Sequence, residues 1–188
     1  TDAVLVGAGT ALADDPRLTT RLPETESDIR NPLRIVVDSS GRVPLTARVF
    51  AAGTPGNAAL VTTEAAAEKH CHALRERGVQ VWRLPADENG RVELGALLDE
   101  IGRREMLTLL LEGGGELTGA FVAAGLLDEV CAFVAPLLIG GRAAPGPVGD
   151  PGAGALAQAL RLGNLVTEKI GVDVLIRGEV LKTYESEG

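Results

Sequence analysis

Three consecutive glycines, Gly113 to Gly115, follow a leucine-rich run that ends at the carboxylate of Glu112. An apolar run of this length that stops at glycines predicts a buried strand, and the residues after the glycines predict a helix. Glycines leave the backbone open to a ligand, and the free N–H groups at a helix start can receive an anion. The strand–glycine–helix order is typical of phosphate cradles in α/β proteins, although a tight turn without a ligand would need the same glycines.

A second group of residues that could do chemistry follows the first predicted strand. Residues 7–10 (Gly-Ala-Gly-Thr) can bring backbone and a hydroxyl close to a ligand, and residues 14–16 (Asp-Asp-Pro) place two carboxylates in a turn. Arg17 and Arg21 follow and are candidate phosphate ligands in an acidic protein. Turn formation by the aspartates and a solvated surface position for the arginines remain the alternatives.

The cysteines and histidines do not predict a metal site. Cys71 and Cys131 are far apart in the sequence, and a cytosolic chain would keep both reduced. Both histidines flank Cys71, but consecutive residues of a helix project about 100° apart and so cannot converge on one ion. The same shortage of histidines argues against a Ser-His-Asp hydrolase, and no zinc deaminase motif is present in the sequence.

Composition narrows the range of partners. The 188 residues carry a net charge of −8, which argues against a nucleic-acid surface but allows a phosphorylated small molecule. No apolar run approaches the ~20 residues of a membrane span and no signal-peptide pattern is present, so we expect no membrane partner and a cytoplasmic location. The chain begins almost directly in a strand, which leads us to expect an earlier segment ahead of Thr1.

The elements that must position these residues alternate between strands and helices. The predicted strands cover residues 3–6, 34–38, 58–62, 79–84, 107–112, 129–138, 165–170 and 174–177. The predicted helices cover residues 63–77, 92–103, about 115–124 and 155–162. This order predicts an α/β fold with a mixed, mostly parallel sheet, helices on both faces and an antiparallel C-terminal hairpin. We expect one domain over residues 1–180 and a tail over residues 181–188.

Several motifs, taken in order along the chain, resemble one known family. The matching stretches are residues 7–19 (GAGTALADDPRLT), 31–39 (NPLRIVVDS), 112–115 (EGGG), 127–129 (LDE), 135–141 (APLLIGG) and 173–174 (DV). Together they resemble the reductase domain of riboflavin biosynthesis, the C-terminal half of the bifunctional pyrimidine deaminase/reductase. The resemblance implies a dihydrofolate-reductase-like fold, and it places the family's opening strand and a deaminase domain ahead of Thr1.

The resemblance implies NADPH-dependent reduction of 5-amino-6-(5-phosphoribosylamino)uracil to 5-amino-6-(5-phosphoribitylamino)uracil. It assigns Leu18, Arg21 and Glu112 to the phosphorylated pyrimidine substrate, with Arg21 a natural ligand for the 5′-phosphate. Glu112, the catalytic candidate, would bind ribose hydroxyls or manage a proton. The residues that it assigns to the cofactor are Thr10, Asp14, Ser39, Gly114, Gly115, Glu116, Leu117, Thr118, Gly119 and Ala120.

Two alternatives stay open at this point. The first is another reductase of the same superfamily, acting on 2,5-diamino-6-ribosylamino-pyrimidinone 5′-phosphate or, as a stand-alone homologue, on a different substrate. The second is a nucleotide-binding module without turnover. The family pattern and the apolar strand over residues 130–138 also predict a homodimer.

Overall fold

The computed structural model describes residues 1–21, 31–54, 57–141, 144, 146–149 and 152–181. The chain divides into two compact units, Thr1–Gly114 and Gly115–Gly188. The predicted C-terminal tail lies outside the described residues except for Leu181. No described helix is both long enough and apolar enough to cross a membrane.

The first unit contains a five-stranded parallel sheet in the order β4-β3-β2-β1-β5. Its strands are β1 (Ala3–Gly7), β2 (Leu33–Val37), β3 (Ala58–Thr62), β4 (Gln80–Arg83) and β5 (Leu109–Leu111). The first four predicted strands are thus confirmed to within one residue at each end. Nearly all side chains of β1, β2 and β3 are buried, as expected for central strands of a parallel sheet.

The described residues of this unit form the helices α1 (Ala8–Asp14), α2 (Glu68–Glu76) and α3 (Leu94–Arg103). The first begins directly after β1 and ends at Asp15, which takes a left-handed conformation. The side chain of Glu93 caps α3, because its carboxylate accepts from the N–H groups of Gly95 and Ala96. A 3₁₀ turn, Arg48–Phe50, buries Val49 and Phe50 in a hydrophobic core.

The predicted start of α2 at residue 63 is wrong, and a competing set of hydrogen bonds explains the difference. The hydroxyls of Thr62 and Thr63, at the start of the predicted helix, both donate to the carbonyl of Ser39. The helix begins at Glu68, whose carboxylate accepts from Arg75 and Arg83. Those two hydrogen bonds, with Arg75 the stronger influence, hold the pKa of Glu68 below its usual value.

Strand β5 is shorter and more exposed than the apolar run predicts. It pairs with β1 alone among the described strands, and Leu107 and Leu110 are 91% and 47% exposed. The prediction of a buried strand is therefore wrong. A leucine-rich run indicates that its side chains favour burial, but it does not show whether the strand has a neighbouring strand on both sides.

The second unit contains α4 (Gly115–Ala123) and a three-stranded antiparallel sheet in the order β6-β8-β7. Its strands are β6 (Glu129–Val134), β7 (Leu162–Ile170) and β8 (Asp173–Val180). The predicted antiparallel hairpin is confirmed, with Gly171 at a φ of 63° in its turn. The parallel sheet and this hairpin together confirm the predicted α/β class, with the strands distributed over two sheets.

Two predicted elements of the second unit have different bounds. Strand β6 ends at Val134, four residues before the predicted end, because Pro136 has no N–H for a strand ladder. The helix predicted over residues 155–162 is reduced to one 3₁₀ turn, Leu156–Gln158, and Leu162 already belongs to β7.

Candidate functional site

A cavity of about 580 Å³ lies in the first unit, beside the end of α1 and the loop that follows it. Four residues that the family resemblance assigned to the substrate or the cofactor share its wall: Asp14, Leu18, Arg21 and Glu112. The remaining lining residues are Thr1, Val4, Asp15, Pro16, Arg17, Thr19, Thr20, Pro32, Arg48 and Leu110. Residues far apart in sequence are therefore brought to one concave surface.

The parallel sheet explains why Glu112 reaches this cavity. Strands β1 and β5 are parallel neighbours with Leu5 opposite Leu111, so both strands end at the same edge of the sheet. The N–H of Glu112 donates to the carbonyl of Leu5 over 2.9 Å, which fixes the first residue after β5. Ligands of open α/β sheets bind at the carboxyl ends of the strands, and Glu112 occupies that position.

The loop over residues 15–21 is held in an unusual conformation. Asp15 and Leu18 have φ angles of 42° and 54°, a region that residues with a Cβ seldom adopt. The Asp15 carboxylate accepts from the N–H of Arg48 over 2.7 Å, and the N–H of Thr20 donates to the Asn31 side chain over 3.0 Å. These anchors and the packing of Leu18 against the core keep the loop in place.

The cavity wall carries charges of both signs. Its carboxylates are Asp14, Asp15 and Glu112, and its guanidinium groups belong to Arg17, Arg21 and Arg48. Among the described residues, no ion pair within 4.0 Å joins any of these arginines to a carboxylate. The wall can thus offer cationic donors to a phosphate and carboxylate acceptors to hydroxyl or amine groups.

The glycine run begins next to Thr10. Gly113 and Gly114 have φ angles of 68° and 87°, and a Cβ added to Gly114 would lie 2.7 Å from the Thr10 hydroxyl oxygen. Both glycines are therefore required by the backbone itself, as a tight turn would demand. In the part of the chain that the structure describes, the N–H groups of Gly113 and Gly114 have no acceptor. Those N–H groups are available to an anion.

The residues predicted at 115–120 form the first two-thirds of α4 in the second unit. Gly115 accepts a hydrogen bond from the N–H of Gly149 over 2.8 Å, and a Cβ on Gly149 would lie 2.8 Å from the Gly115 carbonyl carbon. Close backbone contact thus accounts for glycine at both positions. Glu116 is exposed, Gly119 is buried, and the other three residues after Gly115 are half-buried.

Ser39, the remaining predicted cofactor residue, lies after the end of β2 and joins three segments. Its hydroxyl oxygen accepts from the N–H of Val92 over 3.0 Å, while its carbonyl accepts from the hydroxyls of Thr62 and Thr63. Ser39 therefore stabilises the loops at this edge of the sheet. As an acceptor from Val92, the hydroxyl keeps its own proton free to donate.

Sequence reasoning missed Arg48. No motif surrounds it, and it lies 33 residues from Asp15, the residue that binds its main chain in the structure. Only the tertiary contact brings it to the cavity. Among the described residues, no group of three or more His, Cys, Asp or Glu side chains is arranged to hold a metal ion.

Comparison with known proteins identifies relatives. Residues 1–176 match the model of the RibD C-terminal domain. The riboflavin biosynthesis protein RibD of Actinobacillus pleuropneumoniae is 35% identical over 174 residues, which is 93% of this chain and 45% of that protein. The 2,5-diamino-6-ribosylamino-4(3H)-pyrimidinone 5′-phosphate reductase of Methanothermobacter thermautotrophicus is 36% identical over 176 residues, covering 93% of this chain and 78% of that protein.

Solved structures give the same result. The RibD of Acinetobacter baumannii superimposes with a TM-score of 0.78 at 26% sequence identity, over 96% of this chain and 47% of that one. The chain thus spans less than half the length of the RibD proteins that it matches here.

Proposed function

Because the chain belongs to the RibD C-terminal domain family, we propose that it is a pyrimidine reductase of riboflavin biosynthesis. The proposed reaction is the reduction of 5-amino-6-(5-phosphoribosylamino)uracil at the ribose C1′, which yields the ribitylamino product. NADPH is the proposed hydride donor. The observation that carries this proposal is the cavity in which Leu18, Arg21 and Glu112 lie together.

The charges of the cavity match the proposed substrate. Arg21 is exposed at the wall without an ion pair among the described residues, so its guanidinium can grip a terminal phosphate with two donors. Glu112 lies at the carboxyl end of β5, where a carboxylate can accept from ribose hydroxyls or hold the proton that ring opening requires. Leu18 supplies an apolar side chain to the same wall.

The residues proposed for the cofactor fit a phosphate-bearing dinucleotide. Gly113 and Gly114 present N–H groups without an acceptor among the described residues, and the Thr10 hydroxyl lies beside them. We propose that Thr10, Asp14, Ser39 and residues 114–120 contact NADPH. When bound, NADPH supplies a hydride. The chain's own residues contribute orientation, exclusion of water and placed charge.

We extend the proposal to the setting of the enzyme. The RibD relatives are about twice as long as this chain, which supports a deaminase domain N-terminal to it in the parent protein. Exposed apolar side chains on the second unit's sheet, among them Phe133 and Leu165, support a homodimer. We also propose a cytoplasmic location. It is supported by the proposed small-molecule substrate and by the two free cysteines, since the cytosol keeps thiols reduced.

Turnover assays with two substrates test the proposed function. We expect the chain to oxidise NADPH with 5-amino-6-(5-phosphoribosylamino)uracil faster than with the 2,5-diamino pyrimidinone named for the Methanothermobacter relative. A charge-assisted contact to the extra phosphate should also make NADPH bind about 10-fold or more tightly than NADH. Faster turnover of the diamino substrate would reassign the substrate. Binding of NADPH without oxidation by either substrate would identify a non-catalytic module.

A further inference from the structure

A second cavity, of about 310 Å³, adjoins the first in the same unit. Arg17, Thr19 and Arg48 line both cavities, so these side chains stand where the two meet. The rest of the second wall is the short turn over residues 51–54. The family resemblance assigns no role to Arg17, to Arg48 or to this turn.

Among the described residues, the charged groups that line the second cavity are the guanidinium groups of Arg17 and Arg48. The described lining of the first cavity, in contrast, includes three carboxylates. Neither Arg17 nor Arg48 has a side-chain hydrogen bond or ion pair among the residues that the structure describes. Two unpaired cations on one concave surface repel each other, and an anion between them removes that repulsion and gains charge-assisted hydrogen bonds.

The turn over residues 51–54 adds main-chain donors to the cavity wall. Within this turn, the N–H of Thr54 donates to the carbonyl of Ala51 over 3.3 Å, and Gly53 has a φ of 75°. The N–H groups of Ala52 and Gly53 have no acceptor within the described ranges. Free N–H groups of a tight turn combined with arginine side chains are the components of an anion-binding concavity.

Arg48 has a rigid main chain and a free side chain. Its N–H donates to Asp15, and the two residues after it, Val49 and Phe50, are buried in the core. The main chain of Arg48 is therefore held beside the cavity by the fold, while the donors of its guanidinium remain available. Arg17 lies between Asp15 and Leu18, whose left-handed conformations fix the loop on both sides of it.

We propose that Arg17 and Arg48, with the turn over residues 51–54, form a subsite for a phosphomonoester, separate from the position of Arg21. The subsite rests on the proposed function for the identity of the neighbouring substrate, but its affinity for an anion is measurable without turnover. The phosphate can come from the pyrimidine substrate itself or from a second phosphorylated metabolite bound beside it.

Phosphate titration of the 188-residue chain tests the subsite. Inorganic phosphate and ribose 5-phosphate are titrated by calorimetry against the wild type, Arg17→Gln, Arg48→Gln and the double variant. We expect affinity to fall roughly 10-fold for each single variant and further for the double variant. Arg48→Lys should recover part of the loss, because it keeps the charge but not the fork. Arg91→Gln is the matched control, since Arg91 is exposed and lines neither cavity.

Competition between the pyrimidine substrate and inorganic phosphate distinguishes the two sources of the phosphate. If inorganic phosphate and the pyrimidine substrate bind together, the subsite holds a second metabolite and the substrate's phosphate can remain on Arg21. If the substrate displaces inorganic phosphate, the subsite holds the substrate's own phosphate, which supports the subsite but overturns the assignment of that phosphate to Arg21. Equal phosphate affinity in the wild type and the folded double variant would overturn it, as would an equal loss in Arg91→Gln. Phosphate binding that depends on Arg17 and Arg48 in a chain without reductase turnover would refute the proposed function and leave the subsite standing.

Discussion

Individual residues of this chain serve the fold and the proposed site together. Gly114 is the clearest example, because its φ of 87° and its closeness to Thr10 already require glycine before any ligand is considered. The turn alone would therefore explain the glycine at this position. To separate the role of Gly114 in the turn from its proposed role in cofactor binding, it must be compared with a glycine that has a positive φ but lies outside the proposed site.

Replacing Gly114 with valine tests the cofactor role. The branched side chain would resist the positive φ, meet the Thr10 hydroxyl and cover the free N–H groups, so NADPH affinity should be lost. Gly90→Val is the matched control: Gly90 has a φ of 74° with nothing within 4 Å of an added Cβ. Both variants should lose about 1–3 kcal/mol of stability. If Gly114→Val is folded by circular dichroism and binds NADPH normally, the loop is only a turn.

Replacing Glu112 with glutamine tests the proposed catalytic carboxylate. The change keeps the size of the side chain but removes its ability to hold a proton, so kcat should fall by roughly 100-fold or more. The dissociation constant of NADPH should not change. Glu88→Gln, at an exposed loop position that does not line the cavity, should leave both quantities unaltered. A normal kcat with a raised KM would limit Glu112 to substrate binding.

At the scale of elements, the parallel sheet collects the candidate residues and the loop over residues 15–21 orients them. That loop has no regular secondary structure, so its position depends on a few hydrogen bonds. The contact between the Asp15 carboxylate and the N–H of Arg48 links the loop to another segment of the cavity wall. Loss of this contact should affect substrate binding more than folding.

We predict that Asp15→Ala raises KM for the phosphorylated pyrimidine several-fold while destabilising the fold by only about 1 kcal/mol. Asp15→Asn should restore much of the loss, because an amide oxygen can still accept from Arg48. Asp87→Ala provides a control, since the Asp87 carboxylate likewise accepts from main-chain N–H groups in a loop away from the cavity. It should cost similar stability with no change in KM. Equal KM effects for the two variants would mean that loop 15–21 does not position the substrate.

For the whole molecule, sequence patterns predicted the class of the fold better than the extent of its elements. The strand over residues 58–62 was located well because a short, continuous apolar run indicates a strand that is buried on both faces. The exposure of β5 and the late start of α2 were missed, since they depend on which strand or carbonyl lies nearby.

The candidate site, like the fold, could be predicted from the sequence only in part. The resemblance identified Leu18, Arg21 and Glu112, which the fold brings to one cavity. Arg48 was missed because its contact with Asp15 spans 33 residues and has no local signal. Side chains recruited by tertiary contact cannot be read from spacing along the chain.

The central claim is that the cavity holds a phosphorylated pyrimidine with its phosphate on Arg21. The most direct test compares kcat/KM for the nucleotide and its dephosphorylated nucleoside, in the wild type and in Arg21→Ala. Loss of a bidentate phosphate contact should cost about 2–3 kcal/mol, so the nucleotide's kcat/KM should fall roughly 30- to 150-fold, mostly through KM. The nucleoside should be turned over equally poorly by both proteins, with NADPH affinity unchanged. A loss shared equally by nucleotide and nucleoside, or a loss of NADPH binding, would contradict the claim.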